Sequence, residues 1–152
     1  MKKQCKIIWL AILVSCLFAL NSEAAEPKQA GRFVKNADNT VIDSTTGLMW
    51  ATTDNGIDTD WNTAKAYCEN YSVGNYSDWR LPTLKELGTI FDPTSTKRFQ
   101  SVPEITLSGC CPWTSDTRRK RARTIFFLGG EINTFSKELT TGFRALPVRN
   151  AQ

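Results

Sequence analysis

The chain has 152 residues and a mass of 17.1 kDa, which is enough for one domain of ordinary size and too short for two. It contains no histidine, which excludes mechanisms that need a histidine base and removes the most common metal ligand. Its 9 glycines have no three-residue period, which excludes a collagen stalk, and its formal net charge is +4. The composition therefore favours a small binding or structural module over an enzyme, with no catalytic residue and no cofactor predicted.

The first 25 residues have the pattern of a signal peptide. Residues 2–6 form a basic start, and residues 7–20 form an apolar stretch. The small residues at 24–25 provide a cleavage site. The apolar stretch is too short to span a bilayer of about 30 Å. Two other interpretations stay open, namely a lipobox that ends at Cys16, with a lipid on that residue, and an uncleaved anchor. Each of them predicts export to the periplasm or cell surface, the lipobox as an outer-membrane lipoprotein, where cysteines can oxidise.

Removal of residues 1–24 takes away three lysines and one glutamate and lowers the formal net charge from +4 to +2. Any positively charged site must therefore be local. We assign residues 1–25 to the signal peptide, 26–30 to a short linker and 31–150 to one domain.

The domain is predicted to begin with short strands, to continue with two helices and to end with strands. The predicted ranges are 32–34, 40–43 and 48–51 for the first strands, 60–70 and 83–91 for the helices, and 124–128, 132–135 and 142–149 for the last strands. Asp60 or Thr59 can cap the first helix, and Thr83 with Glu86 has the spacing of a capping box. This order predicts an α+β fold with an antiparallel sheet and two main helices. Six apolar residues are expected to be mostly buried: Trp50, Trp61, Trp79, Leu84, Leu87 and Phe143.

The segment Asp78-Trp79-Arg80-Leu81-Pro82 has two interpretations. Trp79 and Arg80 could form a platform on which a sugar stacks. The favoured interpretation is structural, with Trp79 in the core and Arg80 paired with a carboxylate, either Glu86 or Asp78.

Asp54, Asp58 and Asp60 make the loop before the first helix acidic. Calcium would need about six or more oxygen ligands at ordered spacing, and the order Asp-x-Asp-x-Asp-Gly is absent. A solvated loop with a helix cap is favoured, and no metal site is predicted.

The segment 118–123 concentrates positive charge, with five cations in six residues: Arg118, Arg119, Lys120, Arg121 and Arg123. Such a run repels itself, and guanidinium groups suit sulfate and phosphate. We expect an exposed loop, edge or hairpin end, because in a central strand alternate cations would point into the core. These residues are the predicted binding site for a polyanion, and a merely solvated loop is the alternative. Nucleic acid is not the expected partner of an exported domain.

Three cysteines remain after the signal peptide: Cys68, Cys110 and Cys111. Adjacent Cα atoms lie about 3.8 Å apart, below the usual range of about 4.4–6.8 Å for a disulfide. We therefore expect Cys68 to pair with Cys110 or Cys111, without deciding which. The remaining thiol would be buried or would join another chain.

Several segments together resemble the Lcl C-terminal domain family, named after the C-terminal domain of the Legionella collagen-like adhesin. The most specific is Ser77-Asp78-Trp79-Arg80-Leu81-Pro82-Thr83, followed by Glu86-Leu87. The others lie at 31–34, 39–43, 46–50, 61–64, 66–68, 113–115 and 143–149. The resemblance implies an exported bacterial domain and, in the adhesin, a binder of sulfated polysaccharide. The segment around Trp79 is also similar to one in the C-type-lectin-like and formylglycine-generating-enzyme folds, which supports a C-type-lectin-like α+β fold.

The chain departs from this family at three points. It has no collagen repeat, it carries the pair Cys110-Cys111, and its last strand has Ala145-Leu146-Pro147 where many relatives have a cysteine. A disulfide from the first helix to the last strand is therefore not expected.

Three hypotheses for the function follow. The first is a non-enzymatic, adhesin-like domain that binds sulfated or otherwise anionic glycan through residues 118–123. The second is an envelope assembly module that docks another protein through an aromatic surface. The third is a degenerate relative of the formylglycine-generating enzymes.

Overall fold

The computed structural model describes residues 31–151. In this part the strands are β1 Phe33–Lys35, β2 Thr40–Asp43, β3 Leu48–Ala51, β4 Cys111–Pro112, β5 Thr117–Arg118, β6 Arg121–Ile125, β7 Ile132–Ser136, β8 Phe143–Arg144 and β9 Val148–Asn150. The helices are α1 Trp61–Glu69 and α2 Leu84–Gly88, with a 3₁₀ turn at Val73–Asn75. None of the helices in this part has the length and apolar character needed to cross a membrane. The predicted signal peptide, the linker and Cys16 lie outside the described residues.

The combination of helices and largely antiparallel strands confirms the α+β class. The strands form three sheets and not the single antiparallel sheet that was predicted. The first sheet has the order β1-β2-β3-β9 and the second the order β5-β6-β7, both antiparallel, whereas β4 and β8 form a short parallel pair. The predicted strand 142–149 is split into β8 and β9 by residues 145–147. Pro147 cannot donate a backbone hydrogen bond, but its carbonyl accepts one from Ala51 at 3.0 Å.

Both helices begin where their capping residues predict. The Asp60 carboxylate accepts hydrogen bonds from the backbone of Asn62 and Thr63, and Thr83 and Glu86 form the complete capping box of α2. Helix α2 ends at Gly88 instead of residue 91. The bond from the Ile90 N–H to the Leu87 carbonyl closes a tighter final turn, which releases the chain into the buried segment that follows.

Two apolar clusters make up the core, and β6 contributes to both. Trp50, Leu87 and Ile125 belong to the first cluster, whereas Ala122 and Trp113 belong to the second. Of the six residues predicted to be mostly buried, Trp50, Trp79, Leu87 and Phe143 are buried, and Trp61 and Leu84 are half-buried.

The predicted disulfide between Cys68 and Cys110 or Cys111 is wrong. Cys110 and Cys111 are bonded to each other across a Cα–Cα distance of 3.7 Å, and Cys68 is a free, buried thiol on α1. The Cα range behind the prediction describes bridges between separate segments. In adjacent residues the two side chains can still turn towards each other, and the nearby Cys68 is left as an apolar member of the second core cluster.

Candidate functional site

The positively charged segment forms a β-hairpin. Strands β5 and β6 pair antiparallel with Arg118 opposite Arg121, and Arg119 and Lys120 form the turn. Arg119 adopts a φ of 55°, the left-handed conformation that closes so tight a connection. The prediction of a hairpin end is confirmed for the turn, but β6 itself is the central strand of its sheet.

A central strand accommodates these cations because side chains alternate between its two faces. Arg121 and Arg123 are exposed, while Ala122 and Thr124 between and beyond them are fully buried. The expectation that a central strand would force cations into the core is therefore wrong for this sequence. The small residue Ala122 takes the inward position, and the arginines share the outer face.

The neighbouring strands extend this outer face. Arg121 lies opposite Arg118 on one side and Ser136 on the other, and Arg123 lies opposite Thr134. The Arg121 guanidinium also donates a hydrogen bond to the Thr134 carbonyl, which holds its side chain across β7. The register between the three strands therefore places the cations of this segment on one continuous face of the sheet.

An open groove of about 850 Å³ lies on this surface, and we call it the basic groove. It is lined by Arg118, Arg119, Lys120, Arg121, Arg123 and Thr134. All five cations are exposed, and none of them forms a salt bridge with any residue of 31–151. Guanidinium groups bind the paired oxygens of sulfate, carboxylate or phosphate through two hydrogen bonds. The groove is therefore equipped to bind an extended anion.

The segment that precedes α2 has a structural role, as the favoured interpretation predicted. Trp79 is only 2% exposed, so its ring offers no stacking surface. The Arg80 guanidinium donates two hydrogen bonds of 2.8 Å to the Glu86 carboxylate. The hydrogen bond from Arg80 lowers the pKa of Glu86 below its usual range, although partial burial acts in the opposite direction. Arg80 and Glu86 therefore fix the extended segment to the helix.

The acidic loop is more ordered than the sequence indicates. Asp54 is buried and accepts hydrogen bonds from the backbone and hydroxyl of Ser108, whereas Asp58 pairs with Arg144. Hydrogen bonds, chiefly from Arg144, lower the pKa of Asp58. In residues 31–151 no group of three or more possible ligands could hold a metal ion. Two of the loop carboxylates therefore bind distant segments of the chain, and the third caps α1.

Two features of the surface were missed by the sequence interpretation. Thr134 reaches the basic groove only through its position opposite Arg123. Trp61, predicted to be core, is half-buried, and the Lys137 ammonium lies 3.9 Å from the centroid of its ring. Strand alternation could have indicated the first feature. The second depends on how α1 packs and has no signal in the sequence.

The model of the Lcl C-terminal domain family matches residues 39–149, which covers most of the part that the structure describes and includes the basic groove. No curated protein matches the chain.

Proposed function

Since the chain belongs to the Lcl C-terminal domain family, we propose that it is an exported, non-enzymatic domain that binds sulfated or otherwise anionic glycan at the cell surface. The observation that carries the proposal is the basic groove, in which five exposed cations lie together without an acidic partner among residues 31–151. Unpaired cations held this close repel one another, and a polyanion relieves that repulsion.

The shape of the basic groove favours a chain over a small ion. The cations lie on two adjacent strands and on the turn between them, in an open groove and not an enclosed pocket. A repeating anion such as a sulfated polysaccharide can lie along this surface and contact several cations at once. Binding would then release counterions and would weaken steeply as salt rises.

The test is retention on immobilised heparin against salt. The variant Arg118→Ser, Arg119→Asn, Arg121→Ser removes three cations, with asparagine at 119 because it tolerates the left-handed backbone. We expect each lost cation to weaken binding by roughly 1 kcal/mol, as for basic residues at an anionic lipid surface, and the salt dependence to become flatter.

The matched control removes three exposed cations elsewhere, by Lys35→Ser, Lys85→Ser and Arg98→Ser. The control has the same net charge as the groove variant. If net charge alone governed retention on heparin, both variants would therefore be retained equally weakly. Equal retention of the two variants would overturn the proposal, as would wild-type retention that does not fall with salt.

A second candidate, docking of another envelope protein, is favoured by an aromatic surface at the C-terminal end of α1. Tyr67 is 38% exposed and its ring lies 5.8 Å from that of Tyr71, which packs on Trp79. The two tyrosines line an open groove of about 580 Å³. This candidate predicts that Tyr67→Ser abolishes capture of an envelope protein and that capture persists in high salt.

Export and lipidation concern residues 1–25. We propose cleavage after Ala24 or Ala25, and N-terminal sequencing of the protein recovered from the periplasm or medium tests it. A lipid-modified N-terminus at Cys16 would instead establish an outer-membrane lipoprotein. The C-type-lectin-like arrangement is likewise a proposal, supported by the segment around Trp79.

A further inference from the structure

A third cavity, separate from the basic groove and from the groove beside Tyr67, lies between α1, the segment before α2 and the start of β5. Its volume is about 310 Å³, at the small end of the range of about 300–1,000 Å³ for ligand pockets. It is lined by Trp61, Lys65, Glu69, Arg80, Leu81, Thr83, Ser115 and Thr117. Its size suits a mono- or disaccharide.

One wall of this cavity is the half-buried ring of Trp61. The indole N–H of Trp61 donates to the Thr114 carbonyl at 2.8 Å, which fixes the orientation of the ring. The Lys137 ammonium lies over the ring, and Trp61 also packs on the second core cluster. The residue is only half-buried and lines the cavity, so part of the indole faces it. The other tryptophans of the described part, Trp50, Trp79 and Trp113, are buried. Trp61 is therefore the tryptophan of this part that can contact a ligand.

The polar groups around the ring retain hydrogen-bonding capacity. The terminal nitrogens of Arg80 donate hydrogen bonds to the Glu86 carboxylate and to the Leu81 carbonyl. The Nε–H of Arg80 has no acceptor among residues 31–151. The Thr83 hydroxyl accepts from the Glu86 N–H and is bonded to the Glu86 carboxylate, whereas the Thr117 hydroxyl has no partner among residues 31–151. The cavity thus presents donors and hydroxyl groups beside an aromatic ring.

The charges of this cavity are balanced, unlike those of the basic groove. Lys65 pairs with Glu69, and Arg80 pairs with Glu86. A charged ligand would have to compete with these internal pairs, whereas a neutral polyhydroxylated ligand would not. A pyranose ring has an apolar face that packs on an indole and hydroxyls at its edge that bond to such groups.

We propose that this cavity is a binding site for a neutral pyranoside, with the apolar face of the sugar on Trp61 and its hydroxyls towards Arg80 and Thr117. The site goes beyond the proposed anionic-glycan function and is independent of the five cations of the basic groove. Binding is expected in the millimolar range, as is usual for a small ligand with few contacts.

The experiment uses four neutral disaccharides as probes: lactose, maltose, cellobiose and N,N′-diacetylchitobiose. Saturation-transfer NMR measures binding to the full chain, and the difference in acrylamide quenching between the wild type and Trp61→Leu measures the accessibility of Trp61. At least one probe should bind and should protect the quenchable fluorescence. Its dissociation constant should stay the same between low and high salt and in the variant Arg118→Ser, Arg119→Asn, Arg121→Ser.

Two variants test the cavity without relying on one fold-sensitive change. Trp61→Leu removes the ring, and we expect about tenfold weaker binding. Thr117→Val removes an exposed hydroxyl and should weaken binding while preserving the fold. Tyr67→Leu is the matched control, because Tyr67 lies on the same helix but lines the groove beside Tyr71. This variant should bind the disaccharide as tightly as the wild type does.

Failure of all four probes to bind would overturn this inference and would leave heparin retention unaffected. Binding that persists equally in Trp61→Leu and Thr117→Val would place the sugar elsewhere and would overturn it as well. Loss of heparin retention with intact disaccharide binding would instead contradict only the proposed function.

Discussion

Arg80 and Glu86 form a two-point ion pair in which Nη1 lies 2.8 Å from Oε2 and Nη2 lies 2.8 Å from Oε1. The same carboxylate accepts the Thr83 N–H at 2.7 Å. One side chain therefore both caps α2 and ties that helix to the extended segment before Pro82. The Arg80 guanidinium also lines the cavity beside Trp61.

We predict that Glu86→Gln lowers the free energy of unfolding by about 1.5–3 kcal/mol, because it replaces charge-assisted hydrogen bonds with neutral ones. Arg80→Lys should also destabilise the fold, because an ammonium cannot make the paired contact. Urea unfolding measures both effects. Glu131→Gln, at an exposed position, is the control and should change stability by less than about 0.5 kcal/mol.

Acid should destabilise the protein partly through Asp43. This buried carboxylate binds Arg32 at 2.8 and 2.7 Å and accepts hydrogen bonds from Thr45 and Thr46. Burial alone would raise the pKa of Asp43, but these contacts outweigh it and the pKa is lowered.

Because the folded pKa of Asp43 lies below that of the unfolded chain, about 3.9, its stabilising contribution is complete above that pH. It is lost as the pH falls through the folded pKa. Asp43→Asn should cost about 1.5–3 kcal/mol at neutral pH. Its unfolding free energy should depend less steeply on pH between about 5 and 2 than that of the wild type. Parallel curves for the two proteins would contradict this account.

The cysteine connectivity can be read from tryptic peptides of the non-reduced protein. Residues 99–118 contain both Cys110 and Cys111, and residues 66–80 contain Cys68. We expect the first peptide to be lighter than its dithiol form by two hydrogens. Alkylation without reductant should modify Cys68 only after denaturation, because burial raises the pKa of its thiol and shields it. A cross-link between the two peptides would contradict the structure.

Calcium should not stabilise the acidic loop. Asp54 is bonded to Ser108, Asp58 to Arg144 and Asp60 to the start of α1, so a cation would have to displace existing partners. We expect the same melting temperature in about 5 mM calcium and in chelator. A bound ion at 100 times its dissociation constant would add about 2.7 kcal/mol and raise the melting temperature by several degrees. Such a rise would contradict this prediction.

How far the candidate site could be predicted differs from residue to residue. The concentration of cations at 118–123 is visible in the sequence, and the tight turn and the alternation that expose them follow from local rules. The presence of Thr134 in the groove depends on the register between β6 and β7. The open ring of Trp61 depends on how α1 packs against residues more than fifty positions away.

The sequence by itself determined the features whose causes lie within a few residues. The capping box of Thr83 and Glu86 belongs to this group. The sequence narrows the cap of α1 and the partner of Arg80 to two candidates each, and the structure selects Asp60 and Glu86, which lie at most six residues from the groups they bind. Only the tertiary structure decided the contacts across long separations, such as Asp54 with Ser108 and Arg149 with Asp78. It also decided the bonding of Cys110 to Cys111 and left Cys68 free. The physical reason is that many distant groups compete for each such partner, and packing of the whole core selects among them.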